Sequence, residues 1–175
     1  EKILLPTECP ECNFKLVKAE DESATKCLNI NCPAIIRGAL RHWVSKGAMD
    51  IKGFGAKLIE QLVEKKIVSS ISEVYELKQE KIAKLDRMGE KSAKKLLFAI
   101  EASKKRPWHK KLYALGILHI GEANASAIAK AFPSAEELKS CLDNSPQSIA
   151  EIYGIGDEIL NSLIKWFHTQ SNQEL

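Results

Sequence analysis

Apolar residues recur at helical spacing in several stretches of this 175-residue chain. Leu58, Ile59, Leu62 and Val63 form one set, Ala93, Leu96, Leu97 and Ile100 another, and Ile159, Leu160, Leu163, Ile164 and Phe167 a third. Spacings of three and four residues put each set on one face of a helix, which predicts amphipathic helices packed on a core. Each such helix opens on a glycine preceded by an apolar residue: IKGFGAKLIEQL, DRMGEKSAKKLLFAI, LHIGEANASAIAKAF and YGIGDEILNSLIKWF. Aligned on Gly55, Gly89, Gly121 and Gly156, the segments repeat at intervals of 34, 32 and 35 residues. A constant period of this size marks a chain built from one repeated supersecondary unit.

A shorter helix is expected ahead of each glycine. Ile35 to Val44 follows Pro33, near a first helical position. Lys81 to Leu85 and Trp108 to Leu115 precede the second and third glycines, and Gln147 to Ile152, with Ser145 as N-cap, precedes the fourth. The unit is helix, tight turn of the form h-x-G-h-G, helix: the helix-hairpin-helix pattern. The expected fold is therefore all-α, a tandem array of four such units.

Glycine in this turn admits positive φ and close approach of another backbone. The unpaired amides of the following helix's first turn sit at the positive end of its macrodipole. Such a place binds a phosphate oxygen without reading a base. Gly53/Gly55 and Gly154/Gly156 carry both glycines, whereas Arg87 and His119 stand at the first position of the second and third units. Those two hairpins either bind differently or mainly pack. Lys52, Lys57 and Lys91 lie beside the glycines and can meet a phosphate as point charges. A short glycine turn between helices is common, and any single unit can be purely structural. Four at a near-constant interval point to a shared ligand.

Charge narrows the ligand. The net charge of +3 is unevenly spread. Residues 33–70 carry seven basic and three acidic side chains, and residues 81–113 carry eleven and three, whereas residues 114–175 carry three and eight. A basic excess over the first two units suits a polyanion. The run SKKRPWHKKLY (103–113) either flanks such a ligand or simply connects two pairs of units, about 34–105 and 106–175.

Residues 1–33 differ in kind. Cys9-x2-Cys12 and Cys27-x4-Cys32 are separated by 14 residues too polar to form a core. Four thiolates at this spacing suit tetrahedral Zn2+, one ion per chain, and with every corner filled by protein the metal is structural. Free thiols and an iron–sulfur cluster remain as alternatives, the latter disfavoured by its different spacing. Cys141, alone in AEELKSCL, reads as a small core residue on a helix.

Catalytic groups are not evident. The four histidines are isolated, and neither GxSxG, a Walker A loop nor KxDG occurs. No apolar run approaches the roughly 20 residues of a membrane span. The opening EKILLPTECPEC reads as the end of a linker within a larger protein.

The order of modules and the local wording together resemble one family. CPA at the last cysteine, HWVSKGAMDIKGFGAKLIEQLVEKKIV, MGEKSAKKLLFAIEASKKRP and LYALGILHIGEANA are similar to the C-terminal half of bacterial NAD-dependent DNA ligases, with similarity from about Cys9 to Phe167. The resemblance implies a parent enzyme that seals nicks in duplex DNA in replication and repair, in the cytoplasm. NAD and Mg2+ would be used only in domains outside this chain: adenylation and oligonucleotide-binding domains upstream, with a BRCT domain downstream. It implies zinc on Cys9, Cys12, Cys27 and Cys32. Contacts to the backbone of nicked double-stranded DNA would involve Lys52, Gly53, Gly55, Lys57, Arg87, Gly89, Lys91, Gly121, Gly154 and Gly156. The segment itself is expected to be monomeric and non-catalytic. The competing reading is a free-standing adaptor, or part of a repair or junction-processing protein with tandem hairpins.

Overall fold

A computed structural model describes residues 6–18 and 24–172. The centre of the segment between the two cysteine pairs, and the start of the expected linker, lie outside these residues. Among the described residues the chain has nine α-helices and no strand longer than an isolated bridge. Two antiparallel bridges, Glu8 to Lys15 and Val17 to Lys26, fold the cysteine module. Its last cysteine, Cys32, is the N-cap of α1 (Pro33–Val44), with Pro33 at the start of the helix. An Arg37–Glu11 ion pair at 2.8 Å ties α1 back to the module.

The remaining helices are α2 (Ala56–Glu64), α3 (Gln79–Ala83), α4 (Glu90–Ser103), α5 (Trp108–Ala114), α6 (Glu122–Ala131), α7 (Ala135–Asn144), α8 (Gln147–Ala150) and α9 (Asp157–Phe167). They pack as α1 on α2, α3 on α4, α5 on α6 and α8 on α9, which are the four expected hairpins. The apolar stripes read from the sequence face inward: Leu58, Ile59, Leu62, Ala93, Leu96, Ile100, Leu160 and Leu163 are all buried.

Two apolar clusters result. One joins α1–α4 around Leu40, Ile59, Leu62 and Ile82, and the other joins α5–α9 around Leu112, Ile128, Leu138 and Leu163. Tyr113 and Leu115 pack against both. At this seam the His42 imidazole, through Nε2, donates to the Tyr113 carbonyl at 2.8 Å and meets the Tyr113 ring edge-on. The chain then turns at Gly116, where φ is +65° and an added Cβ would lie 3.4 Å from His42 Cδ2. Glycine takes that left-handed corner without strain, and the close approach of His42 leaves little room beyond a Cβ.

The buried polar groups of the first cluster are satisfied in series. Trp43 Nε1 donates to the Tyr75 hydroxyl, which lies 3.1 Å from Ser103 Oγ, and Ser103 donates to the Ile100 carbonyl at 2.7 Å. Because the serine proton is committed to Ile100, the tyrosine proton points to the serine oxygen.

One expected cap is corrected. Ser145 does not cap α8, which is flanked by Pro146 and has no side-chain cap. Ser145 instead closes α7, its amide donating to the Cys141 carbonyl at 2.8 Å. Only Ser145 and Pro146 separate the two helices, and the first helix claims the serine. A working serine cap opens α7, where Ser134 Oγ accepts from the Glu137 amide. Cys141 is partly buried against the second cluster, with Sγ donating to the Ser145 carbonyl at 3.4 Å.

Candidate nucleic-acid interface and metal centre

The four hairpin turns share one backbone design. In each, the apolar residue after the G-side position donates its amide to the apolar residue three before it: Phe54 to Ile51, Met88 to Leu85, Ile120 to Ile117 and Ile155 to Ile152, at 3.3, 3.0, 3.0 and 2.9 Å. The third position of each turn has positive φ: 88° at Gly53, 62° at Arg87, 64° at His119 and 87° at Gly154. A turn with positive φ only at its third residue normally takes glycine there. Arg87 and His119 accept the left-handed conformation without it, at roughly 1–2 kcal/mol each. The doubt raised by the two non-glycine residues is thus answered for the backbone: the second and third hairpins keep the geometry of the first and fourth. The first and fourth residues of each turn are apolar and lie buried or half-buried, whereas the second and third are exposed, as are all ten candidate contacts from Lys52 to Gly156.

The second glycine of each unit is the N-cap of the following helix. Gly55, Gly89, Gly121 and Gly156 have φ of −82°, −128°, −80° and −99° with ψ near 180°, and none of their helices has a side-chain cap. These are ordinary extended angles open to any residue, and Ser134 holds similar ones at the start of α7. An added Cβ at any of the four would meet no heavy atom within 4 Å. Neither backbone strain nor internal packing therefore demands glycine here. Serine, asparagine or aspartate would cap the helix better. The four sites give up that cap and leave the first-turn amides bare toward open space.

Charge separates the four cradles. At the second helical position stand Lys57, Lys91, Ala123 and Glu158 in turn. A cation at the positive end of a helix costs stability unless an anion joins it. The first turn of α2 holds no acid, whereas α6 begins with Glu122 and α9 with Asp157 and Glu158. The Lys110 ammonium, hydrogen-bonded to Glu122, holds that carboxyl below the usual range. Beside Lys52 and Gly53, the groove between the first turn and α4 is lined by Lys91, Lys94 and Lys95. Gly53 itself faces Leu96 Cδ1, 3.7 Å from where its Cβ would lie.

Part of the basic run 103–113 is structural. The Arg106 guanidinium donates to the Ala48 carbonyl from Nε and Nη2 at 3.1 and 3.0 Å, and Trp108 Nε1 donates to the Phe132 carbonyl. Lys104 pairs with Glu101 and lies 5.7 Å from the Tyr75 ring centre. These side chains hold the connector against the helices.

The four cysteines meet as their spacing requires. Their sulfurs all lie within 4.8 Å of one another, with Cys9–Cys32 at 3.8 Å and Cys12–Cys27 at 3.6 Å. A tetrahedron with zinc–sulfur bonds of about 2.3 Å has edges of about 3.8 Å. Without a cation the set resists full ionisation. The Phe14 amide, above all, lowers Cys12 to about 7. Cys27 is pushed up to about 12, where the Asn29 amide pulls it down but burial and the neighbouring thiols outweigh it. Burial raises Cys32 as well. Four thiolates this close need a divalent partner, and the donor set is that of structural zinc.

The architecture is thus a four-cysteine zinc module running without a break into two pairs of helix-hairpin-helix units. Residues 8–34 match the NAD-dependent DNA ligase C4 zinc finger domain, residues 46–102 a SAM-like helix-hairpin-helix tandem, and residues 110–175 a helix-hairpin-helix motif. Similar proteins include a DNA ligase of Prochlorococcus marinus strain SARG, 62% identical over 175 residues. Another is the DNA ligase of Prochlorococcus marinus strain MIT 9303, 53% identical over 175 residues. A third, from Synechococcus sp. strain CC9605, is 54% identical over 173 residues. The alignments cover 100%, 100% and 99% of this chain but only 26%, 25% and 25% of those proteins, so the chain spans about a quarter of their length. The chain belongs to the NAD-dependent DNA ligases, as their zinc-finger and helix-hairpin-helix segment.

Proposed function

We propose that this segment binds duplex DNA through backbone phosphates, without regard to sequence, as the non-catalytic DNA-holding part of an NAD-dependent ligase. The observation that carries the proposal is the set of four N-cap glycines that nothing inside the protein requires. Bare amides at the positive end of a helix donate to a phosphate oxygen, and a Cβ would stand in the space it occupies. Lys52, Lys57, Arg87 and Lys91, all exposed, add charge around the first two cradles. Backbone contacts fix position on DNA but carry no base information.

In this reading zinc holds the cysteine module rigidly on α1, since Cys32 is both ligand and N-cap. Nick sealing with NAD, in replication and repair in the bacterial cytoplasm, belongs to the whole enzyme, with adenylation and oligonucleotide-binding domains upstream and a BRCT domain downstream. The test is fluorescence anisotropy with several labelled duplexes of equal length and unrelated sequence. Equal affinities within about twofold are expected; preference for one sequence by tenfold or more would overturn the backbone reading.

A further inference from the structure

All three tryptophans of the chain line one cavity. It lies at the seam of the two apolar clusters: Trp43 comes from α1 in the first, and Trp108 from α5 with Trp166 and Phe167 from α9 in the second. Its volume is about 320 Å3. That is the size of a small-molecule pocket, and such pockets are mostly apolar and aromatic with a few placed polar groups. Two of the indoles are fixed by their own hydrogen bonds. Trp43 Nε1 donates to the Tyr75 hydroxyl at 3.1 Å and Trp108 Nε1 to the Phe132 carbonyl at 2.9 Å. Trp166 meets the Phe167 ring edge-on, with ring centres 5.1 Å apart, and its carbonyl accepts from Asn172 Nδ2 at 3.0 Å.

The polar groups of the cavity set the charge of its ligand. Lys111 of α5 and Lys139 of α7 both line it, and both are half-buried. Among the described residues neither ammonium has a hydrogen bond or an ion pair. Lys104, Arg106 and Lys110, in the same basic run as Lys111, are committed to Glu101, the Ala48 carbonyl and Glu122. The acid at the cavity, Glu136, is exposed and lies in the first turn of α7, where the helix dipole favours it. A half-buried cation without an acceptor carries a desolvation cost. An anion placed against it relieves that cost through a charge-assisted hydrogen bond. The aromatic walls favour a flat ring on the same ligand.

We propose that this seam cavity binds a small planar aromatic anion, its ring among the tryptophans and its charge at Lys111 and Lys139. Because Trp43 belongs to the first pair of hairpins and the other walls to the second, the bound ligand braces the two pairs against each other. The inference does not depend on duplex binding.

The test titrates isotope-labelled protein with naphthoate, and with naphthalenemethanol and naphthylmethylamine as its neutral and cationic counterparts. The three indole N–H signals in the NMR spectrum report on the cavity walls. Naphthoate should shift all three saturably and bind about tenfold or more tightly than the alcohol, with the amine weaker still. Saturating naphthoate should also raise the melting temperature. Lys111→Gln with Lys139→Gln leaves the rings in place and should reduce naphthoate to the affinity of the alcohol. Ala135→Phe puts a ring into the cavity from α7 and should abolish binding. Naphthoate that moves none of the three signals, or binds no more tightly than the alcohol, would overturn the proposal. So would an anion preference that survives loss of both lysines, or binding unchanged in Ala135→Phe. The whole enzyme should bind naphthoate as this chain does; loss of binding there would assign the cavity to another segment of the enzyme and overturn the small-molecule reading. Each of these outcomes leaves the phosphate reading of the hairpins to its own anisotropy test.

Discussion

Replacing Gly55 with serine separates what the fold wants from what the ligand wants. The position has φ −82° and ψ 171°, angles that serine adopts freely, and its Cβ would enter open space. Ser134 demonstrates the expected bond at the start of α7, accepting from the Glu137 amide at 3.1 Å. A serine cap in place of glycine is worth a few tenths of a kcal/mol. Loss of glycine's unfolded-state freedom adds about 0.4–1 kcal/mol. The sum is about 1 kcal/mol of stabilisation, or a rise of roughly 2–4 °C in melting temperature for a chain of this size. DNA binding should move the other way. The new hydroxyl takes an amide meant for phosphate and its Cβ fills the approach, so one charge-assisted hydrogen bond of about 1.5–3 kcal/mol is lost. That corresponds to roughly a 10- to 100-fold weaker complex. Thermal melting and anisotropy on the same preparation read both effects. If Gly55→Ser melts higher yet binds DNA as tightly as the parent, the bare amides are not the phosphate site. If it melts several degrees lower, glycine was structural after all.

Further outcomes are expected from the turn backbones and the metal. His119→Gly removes a left-handed non-glycine residue worth about 1–2 kcal/mol of strain and returns about 0.5–1 kcal/mol in chain entropy. A small net gain in melting temperature is predicted, and a clear drop would mean that the imidazole makes a needed contact. Elemental analysis should find one zinc per chain, falling well below one in Cys12→Ser. Chelation should unfold residues 8–32 while most far-ultraviolet helical signal survives, because the module lacks a core of its own and the helices do not. Equal loss of both would refute that independence.

Much of this architecture was legible in the chain itself, for identifiable reasons. The apolar stripe of Leu58, Ile59, Leu62 and Val63 is long and strictly periodic, and all four residues are buried on the face it indicates. The four cysteines could be placed because metal geometry restricts spacing so severely. What stayed hidden depended on contacts distant in sequence or on backbone angles that residue type does not announce. Arg87 and His119 look like departures from the turn, yet their φ values of 62° and 64° preserve it. The role of Arg106 was ambiguous because its acceptor, the Ala48 carbonyl, lies 58 residues away. Ser145 misleads for a related reason: its type suits an N-cap, but the end of α7 reaches it first. The weight of each cradle also needed the structure, which aligns Lys57, Lys91, Ala123 and Glu158 at one position of equivalent helices.

The central claim, that DNA is held by its phosphates, is tested most directly by the salt dependence of duplex binding. Neutralisation of about four phosphates by Lys52, Lys57, Arg87 and Lys91 gives a slope of log K against log salt of about −3.5, or roughly a hundredfold loss between about 50 and 200 mM. Changing Lys52 and Lys57 together to alanine should make that slope shallower by about 2. A slope near zero in the parent chain, or one unmoved by removing both lysines, would contradict the account.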